Sequence, residues 1–272
     1  PCRTSYVGQL SCGFIAVLNS SATQVEMVSF FGSNHSISIF GIAVDASGNI
    51  HAAGSYQSSD SEGSAYSFTA ARVSSLDPAM PRFDNQNGFV VTLSPSNVLS
   101  ACLIGGNSSD VIKAIAINAT GGVVAAGFTH SSNFPVTAGV IRQFGIGREG
   151  FVMLFNQDCS RLSYSTLIGG PGFDSLTNMA LDAGGNVYVA GQTNDGGLVT
   201  TADAFSQTMR GASDGFLALL KNNGRTLAYS TYFGGASNDF PLSMAVLPDQ
   251  TVTILTNTYS ADFPGVSPTS FQ

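Results

Sequence analysis

One phrase is written four times in this chain, and no other feature limits its fold as strongly. The clearest copy, residues 166–193, reads TLIGGPGFDSLTNMALDAGGNVYVAGQT. Residues 102–129 read CLIGGNSSDVIKAIAINATGGVVAAGFT, residues 30–55 FFGSNHSISIFGIAVDASGNIHAAGS, and residues 231–258 TYFGGASNDFPLSMAVLPDQTVTILTNT. A second phrase precedes each of these copies: GFIAVLN at Gly13, GFVVTLS at Gly88, GFVMLFN at Gly150 and GFLALLK at Gly215, spaced by 75, 62 and 65 residues. Self-similarity at a period of this size means one supersecondary unit made repeatedly and stacked.

The unit is built of strands. Residues 178–182 and 186–192 are short apolar runs separated by Ala183, Gly184 and Gly185, the pattern of a β-hairpin. Met179, Ala180 and Leu181 do not alternate with polar residues, as expected of a strand covered on both faces. Residues 151–155 and 162–168 make a second hairpin across 156–161. Four short strands per repeat, with no helical period, predict an all-β chain of propeller blades. A parallel β-helix is the alternative, ranked lower because its coils are usually shorter than this period.

The phrases GFVMLFN, YSTLIGG, MALDAGGNVYVAGQT and NFPVT resemble the β-propeller repeat family known as SBBP. The resemblance runs through all four copies and implies a propeller of extracellular type; it implies little about activity. The fourth copy departs at its hairpin turn, where Leu247, Pro248, Asp249 and Gln250 replace Asp-Ala-Gly-Gly, and the first carries an insertion at 57–87. The whole of 1–272 is read as one propeller domain, with repeats starting near 13, 88, 150 and 215.

A chain of 272 residues can bury a sizeable core. Charged residues make up 10%, the net charge is −7, and the 10 basic residues are scattered singly, so the basic stripe that nucleic acid requires is missing. No apolar run reaches membrane-helix length, and no membrane insertion is expected. No signal peptide is visible ahead of Pro1, so the chain reads as a mature or trimmed product. Of the three pairings open to Cys2, Cys12, Cys102 and Cys159, Cys2–Cys12 and Cys102–Cys159 are preferred, against a reading of four unpaired core thiols. His35, His51 and His130 fall one per segment without metal-ligand spacing.

Catalytic signals are few. Residues 211–215 match G-x-S-x-G, yet a nucleophile elbow needs a following helix, whereas here a strand follows. Asp110, Asp174 and Asp239 recur four residues after a Gly-Gly pair; a Ca²⁺ site in each blade and an Asx-type turn are the rival readings, and the turn is preferred. Asp45 and Asp182, at hairpin turns, receive the same assignment. Sequons at Asn19, Asn34, Asn107 and Asn118 fall in turns and loops, where a glycan could sit if the source glycosylates. No cofactor is expected. The functional expectation is an extracellular, non-enzymatic structural or interaction module, with a carbohydrate- or protein-binding adhesin as the alternative. Its partner would be a second copy of itself or a cell-surface protein or glycan. Counting hairpins gives three complete blades and two unlike half-blades. Closure into a four-bladed ring through a blade shared by the N- and C-terminal hairpins is preferred, with head-to-tail joining of copies as the rival.

Overall fold

A computed structural model describes residues 12–31, 35–58, 73–75, 86–94, 97–143, 145, 147–222 and 224–265. Among them every regular element is a β-strand. The chain opens with the hairpin β1 (Gly13–Leu18) and β2 (Val25–Phe31). The first blade follows: β3 (His35–Val44), β4 (Ile50–Ser58), β5 (Val73–Ser75), β6 (Gln86–Leu93) and β7 (Val98–Ile104). The second is β8 (Asp110–Ile117), β9 (Val123–Thr129), β10 (Glu149–Phe155) and β11 (Leu162–Ile168); the third is β12 (Asp174–Leu181), β13 (Val187–Thr193), β14 (Asp214–Lys221) and β15 (Thr226–Phe233). The hairpin β16 (Asp239–Val246) and β17 (Val252–Thr258) stands last.

Within each blade the strands pair in chain order and antiparallel, except that β5 adds to the outer edge of β7 in parallel. The insertion at 57–87 is therefore shorter than its polarity suggests. Gln57 belongs to β4 and Asn87 to β6, and β5 joins the sheet; the remainder, 59–72 and 76–85, lies outside the described residues.

The expectation of a shared blade is not met among the described residues. Hairpins β1–β2 and β16–β17 remain separate two-stranded sheets, and no sheet closes the ring. Among the described residues there are two four-stranded sheets, a first sheet widened to five strands by β5, and the two separate terminal hairpins.

The core lies between blades. One apolar cluster joins Ile15 and Phe31 of the first hairpin to Ile37, Ala52 and Phe89 of blade 1. A second joins Val90 and Ile104 to Ile115 and Phe151, and a third joins Val152 and Ile168 to Leu176 and Phe216. Strands covered on both faces explain the lack of alternation in the sequence. Blades 1 and 2 are also stapled at their rim. The disulfide Cys102–Cys159 spans 5.7 Å between Cα atoms, the Gln157 side chain donates to Asp45 Oδ2 (3.1 Å), and Ser100 donates to the Gln157 carbonyl (2.9 Å).

The first strand of every repeat carries a β-bulge at the same place. The extra residue is Phe40 in β3, Lys113 in β8, Thr177 in β12 and Leu242 in β16. In the three complete blades a glycine faces it: a Cβ on Gly54, Gly127 or Gly191 would lie 1.9, 1.9 or 2.3 Å from a backbone oxygen of the bulged strand. The glycines in AAGS, AAGF and VAGQ are thus required by close strand approach. The fourth copy has Thr256 there, one mark of its divergence.

Candidate functional site

The recurrent aspartates are buried corner pieces. Asp110, Asp174 and Asp239 are fully buried, and each accepts through Oδ2 the N–H of the second glycine in its Gly-Gly pair, at 2.8 Å every time. Ser131 and Ser260 hydroxyls add a second donor to Asp110 and Asp239 (2.8 and 2.9 Å). In blade 3 the equivalent position is Asp195, whose Oδ1 accepts from Gly197 N–H instead. Burial pushes the Asp174 carboxyl up, and the Asp195 charge adds to this. The hairpin aspartates behave as Asx turns: Asp45 Oδ1 accepts from Ser47 and Asn49 N–H, and Asp182 Oδ1 from Gly184 and Asn186 N–H, all at 2.9 Å. Among the described residues no group of three or more His, Cys, Asp or Glu converges as metal ligands.

Residues 211–215 form a turn capped by Asp214, which accepts from Arg210 N–H (2.7 Å) and Gly211 N–H (2.9 Å) ahead of β14. Ser213 contributes its carbonyl to Asp239 N–H. Of the sequons, Asn34 lies outside the described residues. Asn19 and Asn118 hold hairpin turns through their side-chain oxygens, and Asn107 bonds to Ser132 through both side-chain groups. Cys12 is disulfide-bonded, and Cys2 lies outside the described residues. His51 is buried between Asp45 and Thr92.

Two surfaces that single-residue reasoning passed over stand out against this frame. The first is the face of the leading hairpin that points away from blade 1. In complete blades the aromatic of the Gly-Phe phrase and its cross-strand neighbour are covered: Phe89, Phe151 and Phe216 are 0% exposed, and their partners Leu103, Leu167 and Tyr232 at most 4%. Their equivalents Phe14 and Phe30 pair in the same way and are each 63% exposed. Ile42 and Val44 on β3 are bare as well, at 58% and 62%, whereas Ile115, the counterpart of Ile42, is 9% exposed. At the other end Leu242 and Leu255 of β16–β17 are exposed too.

The second surface is an alternation of cations and rings that begins at the bulge residues Phe40 and Lys113. Lys113 Nζ sits 3.6 Å from the centre of the Phe40 ring and 6.0 Å from Phe128. Arg148 lies 4.0 Å from Phe128 and 5.7 Å from Phe173. His130 packs edge-on between Phe128 and Phe173 and accepts from Arg148 Nε (3.4 Å). Burial pushes Lys113 and His130 down, and the Arg148 charge lowers both further. Beside the series lies a cavity of about 270 Å³ lined by His130, Ser131, Ser132, Gln143 and Glu149, among others. The signal for Phe40 and Lys113 was present in the repeats: the frame recurs, but its bulge residue changes identity from copy to copy.

Comparison with known proteins bears on the fold. Residues 163–198, covering β11 to β13, match the family described as "SBBP: Beta-propeller repeat". No curated protein matches the chain. Among solved structures the chain is similar to a protein of unknown function from Dyadobacter fermentans DSM 18053, at 12% identity and a TM-score of 0.48. The alignment covers 82% of this chain, and the chain spans 63% of the length of that protein.

Proposed function

We propose that this chain, which carries an SBBP β-propeller repeat across its second and third blades, is an extracellular, non-enzymatic structural module whose copies join head to tail. The observation that carries the reading is the bare pair Phe14 and Phe30, at a position covered in every complete blade. Covering a Phe side chain contributes about 1.5–3 kcal/mol, so leaving two in water is a standing drive toward association. An outer hairpin lacking its inner neighbour and an inner hairpin lacking its outer neighbour are complementary halves of one blade. In blade 3, β13 pairs with β14 so that Gly191 faces Phe216 and Ala190 faces Leu217. Transferred to the half-blades, the same register sets Thr256 of one copy opposite Phe14 of the next, Leu255 opposite Ile15, and Ile254 opposite Ala16. Such a contact is heterologous and extends into a fibre when its rotation does not close.

The extracellular part is supported by the Cys102–Cys159 disulfide, since such bonds persist in oxidising compartments. Among the described residues no helix is long and apolar enough to cross a membrane. Sedimentation equilibrium over a wide concentration range tests the proposal. Mass is expected to rise with concentration in the intact protein and to stay at one copy in Phe14→Asp, with both variants equally folded. A single-copy mass for the intact protein at every concentration would contradict it.

A further inference from the structure

The cation–ring series belongs to one copy and does not depend on head-to-tail joining. Phe173 anchors it. Its ring is 54% exposed, yet its backbone is held at both ends: its N–H donates to Asn194 Oδ1 (2.8 Å) and its carbonyl accepts from Asn194 N–H (3.2 Å). The corresponding residues of the neighbouring repeats are Ser109 and Asn238. A large apolar ring on a rigid corner, where sister repeats carry small polar residues, adds nothing to the core. Arg148 is fixed next to it by a backbone bridge to Phe173 and by its carbonyl accepting Asp174 N–H (2.9 Å). Phe40 and Lys113 reach the same line because each is a bulge residue, re-aimed out of its sheet.

The charge of this line is unusual for the molecule. The protein is net −7, yet Lys113 and Arg148 lie together, and among the described residues neither has a carboxylate within ion-pair distance. Ring faces attract the cations without neutralising them. Half-buried positive charge beside the exposed Phe173 ring is complementary to a ligand with negative charge and a flat apolar face. The adjoining cavity offers Ser132 and Gln143 for hydroxyl groups. A pyranose ring bearing an acidic group combines all three: a C–H face to stack, hydroxyls to hydrogen-bond and an anion to pair.

We infer that the line of Phe40, Lys113, Phe128, Arg148 and Phe173 is a binding site for an anionic sugar residue, a hexuronate or a sulfated hexose. Phe173 supplies the stacking platform, Arg148 and Lys113 the charge, and the His130 cavity the hydroxyl contacts.

Isothermal titration calorimetry on the intact protein tests this with four probes: a trigalacturonate, a sulfated trisaccharide, a neutral trigalactose and inorganic sulfate. One or both charged trisaccharides should bind, the stronger one naming carboxylate or sulfate as the group read. Binding should weaken as salt rises, because a surface charge contact is screened. Neutral trigalactose and inorganic sulfate should each bind at least tenfold more weakly, since each lacks one half of the recognition. Phe173→Ala, which removes an exposed ring, and Arg148→Gln should each lower affinity at least tenfold without altering the circular dichroism or the melting temperature. No heat with either charged trisaccharide would overturn the inference. So would neutral sugar binding equally well, inorganic sulfate matching the trisaccharides, or Phe173→Ala binding as tightly as the intact protein.

Discussion

His51 illustrates how one buried side chain sets a pH dependence. It is 0% exposed, with Nε2 3.3 Å from Asp45 Oδ2 and Nδ1 3.0 Å from Thr92 Oγ1. Burial pushes its imidazole below 6.5, the hydrogen bond to the Asp45 carboxylate and its charge opposing only in part. The ring is therefore neutral at pH 7, Nε2–H donating to the carboxylate and Nδ1 accepting from the Thr92 hydroxyl. A folded-state pKa below the unfolded value gives stability that is full above about 6.5 and declines as pH falls beneath it, because the unfolded chain then binds the extra proton. His130, also lowered, acts in the same direction. The melting temperature should fall between about pH 7.5 and pH 5.5, and a His51→Gln/His130→Gln double variant should show a flatter profile. A wild-type profile level across that range would refute the assignment. Turn residues give a second measurement at this scale. Gly185 has φ of 75° with open space where a Cβ would go, so Gly185→Ala should cost about 1 kcal/mol from backbone strain alone. The fourth repeat holds Gln250 at φ 68°, and Gln250→Gly should recover a comparable amount. Chemical denaturation of both variants checks the pair; equal and negligible effects would show the turns relax.

At the scale of elements, strand type and hairpin order were legible because apolar runs, Gly-bearing turns and fourfold repetition agreed. The apolar run at 162–168 is β11. The apolar run begins only at 178, whereas β12 begins at Asp174, because the bulge at Thr177 breaks the run. Strand β5 was hidden within a Ser-rich insertion: three residues of parallel edge pairing leave no periodic trace. Because β5 pairs only with β7, replacing 59–85 with a short turn should leave cooperative unfolding intact, as judged by a single denaturation transition; a broadened one would place the insertion in the core. The disulfide has a larger expected effect. Cys102 and Cys159 are 57 residues apart, and losing a crosslink over such a loop costs about 4 kcal/mol in the loop-entropy account. Cys102→Ser/Cys159→Ser should lower the unfolding free energy by about that amount, with the blade 1–blade 2 seam exchanging amide hydrogens first. An unchanged denaturation midpoint would show that the Gln157–Asp45 contact and the seam suffice.

The molecule as a whole is three blades flanked by two halves that match one another. The repeats revealed the halves, but the sequence could not show whether they meet, since pairing between β17 and β1 depends on blade rotation accumulated over the chain. In the structure they form separate two-stranded sheets, and Phe14, Phe30, Ile42 and Val44 are left bare. A disulfide trap tests joining between copies most directly. Ala16→Cys and Ile254→Cys are made in separate chains, because blade 3 pairs the corresponding Ala218 and Val189. Mixed under mild oxidation, the two single variants should yield a crosslinked species of twice the chain mass, while neither variant alone does. No crosslink in the mixture, together with a rapid internal crosslink when both substitutions share one chain, would contradict assembly between copies and establish ring closure within one.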